Sequence, residues 1–240
     1  GVDIKLFEEE MYNVNVALLE LGFPKCNGNI MVSNPFWRKS VKDYKINIET
    51  WVDSLDEEDL KNLSIFLDAK CVAGNCDFFD EVKDYLYATF ENRDDVLAHM
   101  AKTILYFETP ISLFSGFVTD KSHENRLDLK KGGIFAIVHG IRCLSLQYKI
   151  NATNTIERIK GLNNAGLIDK NFATELIESF DTLTTVRLKA MLESKNIDDT
   201  NYINPHSLDK TTRDLLKDSF KVVNRFKKFI RFHFHLEMVS

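Results

Sequence analysis

No apolar run in this chain approaches the roughly 20 residues that a bilayer-crossing helix needs, and the start, Gly1-Val2-Asp3-Ile4, has no basic stretch with an apolar segment behind it. A membrane span and a secretory leader are therefore not expected, and the chain reads as a soluble protein of the cytoplasm. Cysteine is scarce as well: Cys26, Cys71, Cys76 and Cys143 are scattered through 240 residues, which predicts thiols in a reducing compartment rather than a disulfide scaffold. Cys71 and Cys76 lack the close pairing of a zinc knuckle, so no metal is expected there. Only 4 prolines and 10 glycines occur, with no repeat or low-complexity segment, which leaves little room for flexible linkers. Nor is there an excess of positive charge. A net charge of -5 argues against general nucleic-acid binding, although the C-terminal segment is locally basic.

What is present is enough apolar material, 44% of residues, for a full core. Ile4, Phe7, Met11, Val14, Leu18 and Leu21 recur at helical spacing and predict a helix stopped by Gly22 and Pro24. It begins in mid-pattern without a cap, so we expect the chain to be the C-terminal piece of something longer, with Gly1 a cloning or processing remnant. Ile30-Met31-Val32 reads as a short strand. Trp37, Val41, Tyr44, Ile48, Trp51 and Leu55 mark a helix, and Asp56 to Asp59 a solvent turn. Leu63, Ile65, Leu67, Ala69 and Cys71 alternate with Ser64, Phe66, Asp68 and Lys70, the period of a strand, until Gly74.

From Asp77 onward the period is helical. Phe79, Val82, Leu86 and Phe90 form one series, and Val96, Met100, Ile104 and Phe107, ended by Pro110, form another. Helices follow from about Gly133 to Tyr148, after Asn154 with Glu157 as its capping pair, from Lys170 to Leu192, and beyond Ser207. The expected fold is α+β, mostly α: an α/β unit over residues 1–76 packed on an all-α bundle over residues 77–240.

Several residues invite a chemical reading, each beside a bland one. Asp68, in its expected strand, needs a metal, a cation or a general-base role to offset partial burial, but Lys70 on the same face could simply pair with it. Asp128-Leu129-Lys130-Lys131-Gly132-Gly133 sets charge against two glycines that allow backbone to approach a ligand at a helix start; the glycines could equally serve backbone geometry alone. Asn154 is most simply a helix cap. Arg158 and Arg187 lie on otherwise apolar helices and need an anionic partner, for which Asp128 is the internal candidate. Lys210, Arg213, Lys217, Lys221, Arg225 and Lys228 form a stripe that could face phosphates or water. His233 and His235 lack nearby co-ligands in the sequence.

Gly22-Phe23-Pro24-Lys25-Cys26-Asn27-Gly28, Asn34-Pro35-Phe36-Trp37-Arg38, Asp68-Ala69-Lys70 with Gly74, Asp128 to Gly133 and Thr153-Asn154-Thr155 occur in this order along nearly the whole chain. Together they resemble the nucleotidyltransferases of bacterial signal-transduction proteins, which follow cyclic-nucleotide-binding and CBS domains and end in a helical substrate-binding domain. The Asp-Leu-Lys-Lys-Gly-Gly-Ile segment is also similar to glutamine synthetase adenylyltransferase. The resemblance implies a polymerase-beta-like transferase in which Mg2+ and an NTP are held by a Gly-Ser motif and an Asp-x-Asp pair, with a third carboxylate activating the acceptor. Asp68 matches that third position and would ligate metal only together with upstream carboxylates. Lys70 stands where the family has arginine, keeping charge but losing bidentate geometry.

No Gly-Ser followed by Asp-x-Asp occurs in this sequence, so the chain alone is expected to be inactive. The resemblance implies that residues 1–76 end the transferase domain and that the helical domain forms the acceptor side of the cleft. Lys70, Asp128, Lys130, Gly132, Gly133, Asn154, Arg158 and Arg187 then become candidate contacts to a nucleotide or to an acceptor that is a small molecule or a protein. Upstream regulatory domains are implied in the full gene product, and a homodimer is compatible. The rival expectation is a non-catalytic helical signalling or dimerisation module carrying a degenerate transferase remnant.

Overall fold

The computed structural model describes residues 4–112, 116–193 and 201–239; the remnant expected at Gly1 lies outside the described residues. The first helix, α1 (Ile4–Glu20), buries none of its side chains, leaving Ile4, Leu6, Phe7 and Leu19 exposed, and Glu8 pairs with Arg38 at 2.6 Å. The expected strand at Ile30–Val32 is corrected to a turn. Asn29 takes a positive φ of 53°, and the amide of Asn34 closes back on the Met31 carbonyl at 2.9 Å, so the segment never extends.

Helix α2 (Val41–Ser54) starts at a Ser40 cap and buries Ile48, Trp51 and Val52. The second expected strand is also overturned. Asp56 caps a helix, α3 (Glu57–Leu67), by accepting from the Asp59 amide at 2.8 Å, and Glu57, Glu58 and Asp59 place negative charge in the first turn. The acidic cluster is therefore a helix start. Leu60, Leu63, Ser64 and Leu67 turn inward at helical spacing, and the alternation that imitates a strand is a coincidence of a short window.

The loop after α3 carries a further correction: Cys71 and Cys76 form a disulfide, with Cα atoms 5.7 Å apart, while Cys26 and Cys143 are free. Gly74, at φ +87°, folds the loop back so that the two thiols meet. Helix α4 (Asp77–Thr89) packs on α2, and α5 (Asp94–Lys102) continues into a 3-10 turn at Thr103–Tyr106.

Helix α6 (Phe135–Gln147) is apolar nearly all round and sits in the middle of the bundle, with Ala136, Ile137, Ile141, Cys143 and Leu144 buried. A π-helical turn at Lys130–Ile134 leads into it. Around it lie α7 (Thr155–Asn164), α8 (Lys170–Glu193) and α9 (Lys210–His233), with α8 and α9 packed along each other. Among the described residues the sheet is a single antiparallel pair, β1 (Leu127–Asp128) on β2 (Tyr202–Ile203), in register Leu127 to Ile203. The fold is α+β and mostly helical, as expected, although the strands are not those predicted. No described helix is long and apolar enough to cross a membrane.

Candidate functional site

Asp68 is the residue that ends α3, in helical rather than extended backbone (φ -90°, ψ -4°), and it faces the bundle. Arg142, from α6, donates from Nε to both carboxylate oxygens at 3.2 Å and from Nη2 to Oδ2. Arg158, from the first turns of α7, donates from Nη1 to Oδ1 at 2.7 Å. Its Nε donates to the Ala152 carbonyl at 2.6 Å, while the Asn154 cap holds the helix start by accepting from the Ile156 and Glu157 amides. The Arg158 side chain is 3% accessible and that of Arg142 12%, whereas Asp68 keeps 35%. The carboxylate is therefore the solvent-facing part of the cluster.

Lys83, from α4, closes the group from behind. Its ammonium donates to the carbonyls of Phe66, Leu67 and Ala69 at 3.0, 2.7 and 3.3 Å, capping the negative end of α3. Burial, and then the charge of Arg158, lower its pKa to about 8, against a smaller opposing pull from Asp68. Burial would raise the Asp68 carboxyl, but hydrogen bonds and charge from Arg142, with Arg158 behind it, outweigh this and hold it below its ordinary value. His139 is buried and its pKa is lowered to about 4 by desolvation and by Arg142. It is a neutral ring that accepts from Arg142 Nη1 at Nδ1 and donates from Nε2 to the Met100 carbonyl at 2.8 Å. Two guanidiniums thus hold one carboxylate, and the Lys83 ammonium caps the carbonyls beside it at the end of α3. This arrangement holds an anion firmly; a carboxylate so stabilised is a poor proton acceptor.

The sequence-predicted residues fall into two groups. Asp68, Arg158 and Asn154 meet at the cluster. Asp128, Lys130, Gly132, Gly133 and Arg187 gather at the opposite, N-terminal end of α6, on the order of 15–20 Å from Arg142 by helical rise. There Asp128 accepts from the Lys131 amide at 2.8 Å, Lys130 is exposed, and Arg187 donates to Asn201 Oδ1 at 2.9 Å. The internal partner expected for Arg158 was Asp128; it is Asp68. Lys70 is exposed, and the partners of Asp68 are Arg142 and Arg158 instead. Gly132 and Gly133 are buried, and what approaches them is protein: a Cβ would meet Pro110 Cδ at 2.5 Å on the first and Leu183 Cδ1 at 2.9 Å on the second. The basic stripe of α9 is interleaved with carboxylates, Lys217 with Asp214 and Lys221 with Asp218, while Arg225 pairs with Glu175. His233 bonds Gln147 at 2.6 Å.

Arg142, Lys83 and His139 escaped the reading of the sequence. Arg142 carries the same signal that singled out Arg158, a guanidinium on an apolar helix. Among the described residues no group of three His, Cys, Asp or Glu side chains could hold a metal ion, and both Asp68 oxygens are occupied by guanidinium donors. In this arrangement the site does not fit Mg2+.

Two family models match the chain. One, described as "Putative nucleotidyltransferase substrate binding domain", covers residues 94–234, which include Arg142 and Arg158; the other, described as "Putative nucleotidyltransferase DUF294", covers residues 2–58. No curated protein and no solved structure matches the chain.

Proposed function

This chain belongs to the nucleotidyltransferase substrate-binding family, and from that premise we propose that it forms the acceptor side of a cytoplasmic nucleotidyl-transfer site centred on Asp68, Arg142 and Arg158. One observation carries the reading: Arg142 and Arg158 both bond a single carboxylate that keeps 35% of its side chain open to solvent. The guanidiniums behind it hold the carboxylate ionised and fixed in direction, and its open edge suits a hydroxyl or a cationic group on the acceptor. The NTP and Mg2+ that the resemblance implies have no ligand set in this arrangement, and no step is assigned to them here. Asp68 acts as a positioning carboxylate rather than as a base.

The test uses the complete gene product with NTPs labelled on the α-phosphate, following label into small molecules and proteins of the native extract. Arg142→Lys keeps the charge but loses the fork geometry, and should lower transfer roughly tenfold or more without unfolding the chain. Transfer by that variant at the parent rate refutes the assignment. A second reading, a helical signalling or dimerisation module without catalysis, is favoured by one feature: both oxygens of Asp68 are already engaged. Absence of any metal-dependent nucleotide binding by the complete protein would select it.

A further inference from the structure

Beyond the contact of the Phe66 and Phe79 rings, the end of α3 is tied to α4 twice. One tie is the Lys83 ammonium on the carbonyls of Phe66, Leu67 and Ala69; the other is the disulfide between Cys71 and Cys76, five positions apart. Asp68 lies within the stretch that Lys83 holds, just ahead of Cys71. Covalently, the bond closes a very short loop, the case in which a cross-link removes least entropy from the unfolded chain. Its value as a scaffold is therefore small, and the other two cysteines stay unpaired. Its surroundings are open: Val72, Ala73, Gly74 and Asn75 are exposed, and the carbonyls of Ala73 and Gly74 lie 3.6 and 4.0 Å from the two sulfurs. Cys76 also stands at the N-terminus of the 13-residue helix α4, where the helix dipole favours a thiolate.

We infer that Cys71 and Cys76 form a reversible thiol–disulfide clip, driven by a low-molecular-weight disulfide and its thiol, that sets how firmly Asp68 is held between Arg142 and Arg158. In the oxidising direction the Cys76 thiolate attacks the small disulfide and expels one thiolate. The Cys71 thiolate then attacks Sγ of Cys76 and expels the second. The two protein thiols lose two electrons and two protons, and the small disulfide leaves as two thiols. Reduction leaves the Lys83 ammonium and the contact of the Phe66 and Phe79 rings as ties, so the segment from Lys70 to Cys76 gains freedom and the grip of Asp68 on Arg158 slackens. Any effect on transfer rests on the function proposed above; the clip itself does not.

The experiment therefore reads thiol state and amide exchange rather than transfer. The chain is equilibrated in glutathione buffers from mostly reduced to mostly oxidised, with Cys71 and Cys76 followed by alkylation and peptide mass spectrometry, and backbone exchange measured at both extremes. The pair should convert reversibly, and amides of residues 66–77 and 152–158 should exchange roughly tenfold faster in the reduced form. Cys71→Ser should exchange at the reduced rate in both buffers. A pair that does not interconvert, a response confined to the loop and absent at 152–158, or a Cys71→Ser chain that still responds would overturn the clip.

Discussion

Replacing Asp68 with asparagine removes one charge at nearly constant shape, leaving Arg142, Arg158 and Lys83 together without their carboxylate. Removing one partner of a fully buried ion pair costs about 3–5 kcal/mol. Solvent reaches 35% of the Asp68 side chain and relieves part of the exposed charge, so about 2–3 kcal/mol is expected. At about 2–4 °C per kcal/mol for a chain of this size, Asp68→Asn should lower the melting midpoint at pH 7 by about 4–12 °C, followed by far-UV circular dichroism.

The pH dependence gives a second arm to the same measurement. The folded-state pKa of Asp68 lies below its ordinary carboxylate value, so its contribution is fully present above about pH 4 and is lost as pH falls through the folded value. The gap between parent and variant should therefore close in acid. A variant melting within about 1 °C of the parent at pH 7, or a gap that persists undiminished in acid, would show that the cluster does not hold these helices together.

Lys83 should act in the opposite pH range. Its folded pKa of about 8 lies below the ordinary 10.5, so between these values the unfolded chain binds the extra proton and stability should climb with pH, by on the order of 1–2 kcal/mol from pH 7.5 to 9.5 in urea melts; Lys83→Met should flatten that slope. Gly132→Ala drives a methyl into the Pro110 ring and should cost about 1–3 kcal/mol, whereas Gly28→Ala, whose nearest neighbour is the end of Ile30 at 3.5 Å, should stay within about 0.5 kcal/mol in the same thermal assay. Asn154→Ala removes the cap that accepts from Ile156 and Glu157 and should cost about 1 kcal/mol, together with faster amide exchange in the turn that presents Arg158.

Most helices were legible because a buried face repeats at helical spacing. The Val96 and Met100 series, the run entering α6, the Asn154 cap and the long α8 all stand where periodicity and capping place them. The error at Leu63–Cys71 has a physical source: over a short apolar window periods of two and of 3.6 coincide, and the acidic residues that mark the start of α3 also look like a solvent turn. The disulfide had a local signature, since Cys71 and Cys76 flank a glycine turn, but few and scattered cysteines predict free thiols, and only the fold of that loop brings these two together.

Local chain chemistry was enough to determine that this protein would be a mostly helical body with Asp68 and Arg158 as outliers needing partners, because periodicity, caps and stranded charges are properties of neighbouring residues. Which partners they found was settled by tertiary packing alone. Arg142 and Arg158 reach Asp68 across 74 and 90 positions of chain, and no pattern within one helix encodes that meeting. Only the packing of α6 and α7 against the end of α3 brings two guanidiniums to one carboxylate, and it leaves Lys130 and Arg187 at the far end of α6.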